Sequence, residues 1–327
     1  MSIVVHKNYN ELFSIDNIFL AWRKFRRGKS KKIDVSIFES HLEDNIFNLH
    51  SELQNQKYKH GCYSHFVVID SKKRNIYKAK VKDRIIHQII FDYLNEIFEH
   101  IFINDSYSSR INKGSHKAIK ELKYYLKIEN NDVYILKCDI KKYFDNIDHN
   151  KLLKMIKCKV KNKKILCIIQ EIINSYTTEN KIGKGIPLGN VTSQIFANIY
   201  LNNLDYFIKK RLKIRFYIRY NDDFILICKN KQKLLFSLEK INDFTSKLLL
   251  EIPHDKVSIR KLRWGIDFLG YTILPDCILI RNSTKQKIFQ RINEFNFQTY
   301  FSLLGHCNSY RLKNKLKCKI ADFSVNM

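Results

Sequence analysis

This sequence predicts an α+β fold, one sheet packed on core helices, and two patterns carry that expectation. Long segments repeat apolar residues at i, i+3 and i+4, the spacing of one helix face. Among them stand short runs rich in β-branched and aromatic residues, bounded by turn-forming text as strands are. Layers of such elements around a core give the class.

With 327 residues and 45% hydrophobic content, the chain can bury a sizeable core. Residues 1–60 read as helical and charged. A basic cluster, Arg23-Lys24-Phe25-Arg26-Arg27-Gly28-Lys29, precedes an apolar spacing at Ile37, Phe38, Leu42, Ile46, Phe47 and Leu49. That cluster is either a solvated helix end or a phosphate contact. Residues 82–103 place Ile85, Ile86, Ile89, Ile90, Leu94, Ile97, Phe98 and Ile101 on one helical face. A second long helix begins near Thr192 or Ser193, either able to cap it, and runs through Ile195, Phe196, Ile199, Leu204, Phe207 and Ile208.

Strands are expected at 133–139, 214–220, 224–229 and 268–273, with both long helices flanking their sheet. From 283 the chain turns basic and helical, from Lys285 and Arg291 to Lys317 and Lys319, a separate small unit by composition. Nine Gly and three Pro leave no linker and no evident repeat, so one continuous body is expected.

Lys and Arg number 59 against 32 acidic residues, a net charge of +27. Phosphate neutralisation is the general term in nucleic-acid affinity, so a polyanionic partner follows. A compositional bias toward Lys would raise Glu with it, and the acidic side has not kept pace. The eight cysteines show no C-x-x-C pair and no zinc spacing. Cys138 and Cys228 sit inside apolar runs as small hydrophobes, which implies a reducing, cytoplasmic setting. Met1–His6 lacks a signal-peptide core and no stretch of about 18 apolar residues occurs, so no membrane role is expected.

Two elements carry chemistry. Tyr220-Asn221-Asp222-Asp223 lies between two apolar β-type runs, where adjacent carboxylates at a hairpin tip can hold a divalent ion. Asn and Asp also favour turns for backbone reasons alone. Upstream, Val133-Tyr134-Ile135-Leu136-Lys137-Cys138-Asp139 is an apolar run ending in a carboxylate. Phosphoryl transfer through two metals needs carboxylates on adjacent strands holding ions about 3.5–4 Å apart, and a strand end beside a hairpin tip suits that need. Magnesium is the expected ion, with manganese as a substitute.

With these residues in hand the chain resembles the reverse transcriptases. Arg74-Asn75-Ile76 with Asp83-Arg84-Ile85-Ile86-His87 is similar to the family's first fingers motif. Asp105-Ser106-Tyr107-Ser108-Ser109-Arg110 with Lys113–Ala118 is similar to the second. Gly185-Ile186-Pro187-Leu188-Gly189-Asn190 and Val191–Gln194 resemble the palm loop that positions template and nucleotide, and Phe268-Leu269-Gly270-Tyr271 resembles the primer grip. The motifs span roughly residues 70 to 320 and arrive in the family's order.

The resemblance implies a right-hand polymerase: a helical extension over 1–70, fingers and an antiparallel palm over 71–279, and a small basic helical thumb over 280–327. It implies Asp139, Asp222 and Asp223 as catalytic metal ligands. Arg84, Lys80, Phe144, Leu188 and Gly189 would meet the nucleotide, with Phe144 as the steric gate against a 2′-hydroxyl. Arg110, Tyr220 and Gly270 would meet template or primer, and Lys256 is a candidate general acid for pyrophosphate. Partners would be an RNA template, a DNA or RNA primer and deoxynucleoside triphosphates.

Within the family, Leu188-Gly189-Asn190, Ser193-Gln194 and the text Tyr300–Leu312 look like diversity-generating retroelement enzymes. Those copy RNA inaccurately, chiefly at adenine, and work with a small basic accessory protein. The chain ends without room for a maturase or endonuclease domain, which sets the expectation against a mobile group II intron protein. Retron or abortive-infection enzymes are the first alternative, and a catalytically silent RNA-binding protein is the second. Asn221 departs from the Ala or Met common at its place.

Overall fold

Helix Val81–Phe98 buries the face its spacing predicts, with Ile85, Ile86, Ile89, Ile90, Leu94, Ile97 and Phe98 all inside. The computed structural model describes residues 7–69, 73–129, 132–179, 181–293 and 295–325; Met1–His6, read above for a signal peptide, lie outside them. The lack of linkers predicts one body, but the contacts divide the chain into two compact units that interleave in sequence. The first comprises Met1–Asn104, Ile140–Phe207 and Asn242–Glu251, and the second Asp105–Asp139, Ile208–Ile241 and Ile252–Met327.

In the first unit helices Ile15–Arg26, Ile33–Ser40 and Leu42–Gln54 precede an antiparallel hairpin of β1 (Ser64–Ile69) and β2 (Lys73–Lys78). That hairpin was not foreseen, and its first strand falls inside the stretch expected to be helical. Helix Val81–Phe98 packs against Ile15–Arg26 and against Val191–Tyr206. The basic cluster proves to be a helix end. Lys24 pairs with Asp92 at 2.7 Å, Arg26 with Glu39 at 2.6 Å, and the Lys29 ammonium donates to the Phe25 carbonyl at 2.7 Å. Cations favour that end of a helix because its last carbonyls are unpaired.

Helix Val191–Tyr206 has Asn190 at its N-cap, with no side-chain cap bond. Thr192 and Ser193 do not cap it: the Thr192 hydroxyl meets His87 Nδ1 at 2.7 Å and Ser193 donates to the Pro187 carbonyl at 2.6 Å.

In the second unit β3 (Tyr134–Asp139), β4 (Phe216–Tyr220), β5 (Asp223–Cys228) and β6 (Val257–Lys261) form an antiparallel sheet in the order β4-β5-β3-β6. The expected strand at 268–273 is two strands of another sheet. β7 (Ile266–Phe268) turns at Leu269-Gly270 into β8 (Tyr271–Ile273), which pairs with β9 (Ile278–Ile280). Both turn residues have positive φ, 49° and 88°, as a two-residue hairpin turn of the primed type requires.

The apolar face Ile135, Ile218, Ile225 and Ile227 packs with Leu122 of helix Ser115–Ile128 and with the β7–β9 sheet. Ile288, Ile292, Leu304 and Leu316 join the same cluster, so the basic C-terminal helices share this core although their composition sets them apart.

Candidate active site

Asp139 closes β3 and pairs in register with Asp223, the first residue of β5. Directly opposed residues share a face, with Cβ atoms about 4.5–5.5 Å apart. Asn221 and Asp222 form the two-residue turn between the paired residues Tyr220 and Asp223. Asn221 has φ +55°, a left-handed conformation that Asn tolerates better than most residues. Its side-chain oxygen accepts from the Ser108 hydroxyl.

Arg219, only 1% exposed, donates to the Asn221 carbonyl at 3.0 Å and to the Ser106 hydroxyl at 3.1 Å. The backbone of Asp105 and Tyr107 brackets Arg219 with two hydrogen bonds of 2.9 Å. A turn that carries two carboxylates is thus held from below by a buried guanidinium.

Lys137 lies two residues before Asp139, on the same face of the strand. Its ammonium sits 3.0 Å from Asp223 Oδ2 and donates to the Asp267 carbonyl at 2.7 Å. The other oxygen, Asp223 Oδ1, is buried without a hydrogen-bond partner. Burial pushes the Asp223 carboxyl up to about 7, with Lys137 pulling it down and Asp139 and Asp222 pushing it further up. On the far side Lys256, which ends the short turn His254–Lys256, places Nζ 4.0 Å from Asp139 Oδ2.

Among the described residues no three His, Cys, Asp or Glu side chains are gathered into a preformed metal cage. Magnesium suits this set all the same, because it binds through one or two carboxylates, substrate phosphates and water rather than an all-protein cage. Asp223 Oδ1 is an oxygen donor without a partner.

The first unit gathers another group. Ile186 N–H donates to the Phe144 carbonyl at 2.9 Å and Gly185 N–H to the Ile147 carbonyl at 2.8 Å, so the loop Gly185–Asn190 lies along the Phe144 turn. Tyr77 N–H donates to the Leu188 carbonyl at 2.9 Å, and the Asn190 amide donates to the Tyr77 carbonyl at 2.8 Å. Gly189 has φ +113°, and a Cβ there would meet Ile76 Cγ2 at 2.7 Å. Only glycine allows β2 to approach this closely.

Residues 56–273 match the family described as reverse transcriptase (RNA-dependent DNA polymerase). The chain belongs to the reverse transcriptase family. An uncharacterized 91 kDa protein in the cob intron of Schizosaccharomyces pombe is 32% identical over 141 residues, 42% of this chain and 17% of that protein. The group II intron-encoded protein LtrA of Lactococcus lactis subsp. cremoris is 26% identical over 258 residues, covering 58% and 43%. Protein YkfC of Escherichia coli is 24% identical over 233 residues, covering 59% and 61%. The chain thus spans less than two thirds of each relative. A distant likeness joins it to an apo telomerase from Candida tropicalis truncated from its C-terminal domain, with TM-score 0.48, 16% identity, and coverage of 74% of this chain and 60% of that one.

In this reverse transcriptase Phe144 and Leu188 are half-buried and Gly189 is exposed, while Lys80 stands exposed at the N-terminus of helix Val81–Phe98. The Arg84 guanidinium is bound to Asp34 through one terminal nitrogen and lies 4.9 Å over the Phe25 ring. Arg110 donates to the Ser106 carbonyl at 3.0 Å, Tyr220 packs half-buried on the core cluster, and Gly270 serves the β7–β8 turn.

Sequence reading placed Ser106 and Ser108 in the second fingers motif without foreseeing their bonds to the turn, and gave Lys137 and Arg219 no role. The signals for those two were a charge two residues before Asp139 and an arginine inside the apolar run before Tyr220. It also missed a buried polar chain in the first unit. The Gly61 carbonyl can only accept, so His60 Nδ1 carries a proton at 2.6 Å from it; His60 Nε2 then accepts from His87 Nε2 at 3.0 Å. Burial first, and then the neighbouring His60 and Arg84, push His87 down to about 3.

Proposed function

We propose that this protein is an RNA-directed DNA polymerase that copies a retroelement RNA, with reduced accuracy, for sequence diversification. The observation that carries the polymerase reading is the register of Asp139 with Asp223 across β3 and β5, beside Asp222 in the adjoining turn. Asp139, Asp222 and the free oxygen of Asp223 would hold magnesium. Bound there, the ions would lower the pKa of the primer hydroxyl and neutralise charge on the triphosphate.

The chain's own residues do the rest. Phe144, Leu188, Gly189 and Lys80 would meet the incoming nucleotide, with Phe144 as the gate against a 2′-hydroxyl. Lys256, with Nζ 4.0 Å from Asp139 Oδ2, would give a proton to departing pyrophosphate. The basic C-terminal helices and the net charge of +27 serve the template–primer backbone. Fingers, palm and thumb follow the boundaries given above.

The diversification reading is supported by Leu188 and Ser193-Gln194. Leu188 offers shape and no hydrogen bond to the nascent pair, and discrimination that needs a satisfied polar contact is lost at such a site. A small basic accessory protein belongs to the same reading. The test is primer extension on an RNA template with sequenced products, for the wild type and Leu188→Gln. Errors concentrated opposite adenine and reduced by Leu188→Gln are expected. Equal error spectra remove Leu188 from this account, and absence of templated product removes the polymerase reading itself.

A further inference from the structure

The ion pair beneath the carboxylates points beyond the family motifs. Three acids at one strand end repel one another and resist assembly. Lys137 sits among them, with its ammonium 3.0 Å from Asp223 Oδ2 and 2.7 Å from the Asp267 carbonyl, and its charge 5.9 Å from the Phe268 ring. Asp267 and Phe268 belong to β7, the first strand of the hairpin that turns at Leu269-Gly270. Asp267 is itself fixed, its carboxylate accepting from Thr272 at 2.6 Å and pairing with Arg281 at 2.9 Å. Lys137 therefore bridges β5 to an anchored strand of the second sheet.

We propose that Lys137 is a positioning residue that reserves Asp223. It holds Oδ2, leaves Oδ1 as the single oxygen available to a divalent ion, and couples the carboxylate cluster to the β7–β8 hairpin. The proposal rests on the metal reading of Asp139, Asp222 and Asp223 given above.

Two opposite effects of removing Lys137 follow. At a pH high enough to keep Asp223 ionised, the cluster becomes more negative and Asp223 is released as a whole carboxylate, so a divalent ion binds more tightly. Turnover falls at the same time, because the carboxylate is no longer fixed in one orientation. A residue that only maintained the fold would weaken both when lost.

The experiment is a Mn2+ titration of the whole chain without nucleic acid, followed by electron paramagnetic resonance, for wild type, Lys137→Met, Lys137→Gln and Lys137→Arg. Lys137→Met is expected to bind Mn2+ about fivefold more tightly, the scale of one partly exposed ion pair, while its primer-extension rate falls. Lys137→Arg restores the wild-type values. Lys137→Gln keeps a donor for the Asp267 carbonyl and lacks the charge, so it shows the same tightening and also covers the case in which Lys137→Met fails to fold. Equal or weaker Mn2+ binding in the folded Met or Gln variant overturns the proposal. A different failure is also visible: if Asp139→Asn binds Mn2+ as well as wild type, the metal reading falls and this inference with it.

Discussion

The turn Tyr220–Asp223 and the loop Gly185–Asn190 each bring motif residues into place, but charged side chains hold the first, whereas main-chain bonds and neutral side chains share the second. Lys137 fixes one carboxylate, Arg219 supports the turn's carbonyl and Ser108 clasps Asn221. The loop is tied by amide hydrogen bonds to Phe144, Ile147 and Tyr77, and by the Asn190, Ser193 and His149 side chains, the last two donating to the Pro187 and Gly185 carbonyls. Carboxylates gathered for a metal need countercharge and directional support, which only side chains supply. The loop needs only a fixed contour, and uncharged hydrogen bonds with a glycine supply it. The turn should therefore fail through side-chain changes and the loop through an added Cβ.

Arg219→Met should break the contrast most severely. It leaves the Asn221 carbonyl and the Ser106 hydroxyl without their donor, and each buried group left unpaired costs about 1–3 kcal/mol. A lower melting temperature with activity nearly lost is the expected result. An Arg219→Met variant with wild-type stability and rate would show that the turn holds itself.

Gly189→Ala comes next. The positive φ and the approach of Ile76 together should cost about 1–3 kcal/mol and raise the KM for nucleotide more than they lower kcat. Adding Ile76→Ala should recover the part due to contact and leave the part due to φ. If the single variant is silent, the loop is not held as closely as its hydrogen bonds indicate.

Mildest near neutral pH is the acid sensitivity on the loop side, through His87, whose ring meets Thr192 at the start of the helix that follows the loop. Its folded pKa of about 3 lies below the unfolded value, so stability is full above about pH 6.5. It is lost as pH falls toward 3, by up to about 1.4 kcal/mol per unit. Denaturation followed at pH 7 and pH 5 should show a drop in wild type that is smaller in His87→Gln. An unchanged drop would assign the acid sensitivity elsewhere.

What the sequence disclosed follows the same division. Asp139 and Tyr220-Asn221-Asp222-Asp223 were legible because carboxylates at strand ends and turns stand out from apolar runs. Their supports were not. Lys137 is one of 59 basic residues and looks like any other until Asp223 is folded against it. The Asp34 partner of Arg84 was equally hidden, 50 positions away in sequence and brought to it only in the fold. Strands β7 to β9 have three residues each, too few for a period of two to register, and Leu269 gives no hint of its positive φ. Asn221, an odd letter in the motif, becomes intelligible as a residue suited to φ +55° with a side chain that Ser108 can hold.

The central claim is that Asp139 and Asp222 hold the ions that drive nucleotidyl transfer. It is tested most directly by the initial rate of RNA-templated primer extension against Mg2+ concentration, in wild type, Asp139→Asn and Asp222→Asn. The account predicts a saturable Mg2+ dependence in wild type and no measurable extension in either variant, with melting temperature and RNA binding preserved. Extension by either variant at the wild-type rate, or by wild type in excess chelator, would contradict it.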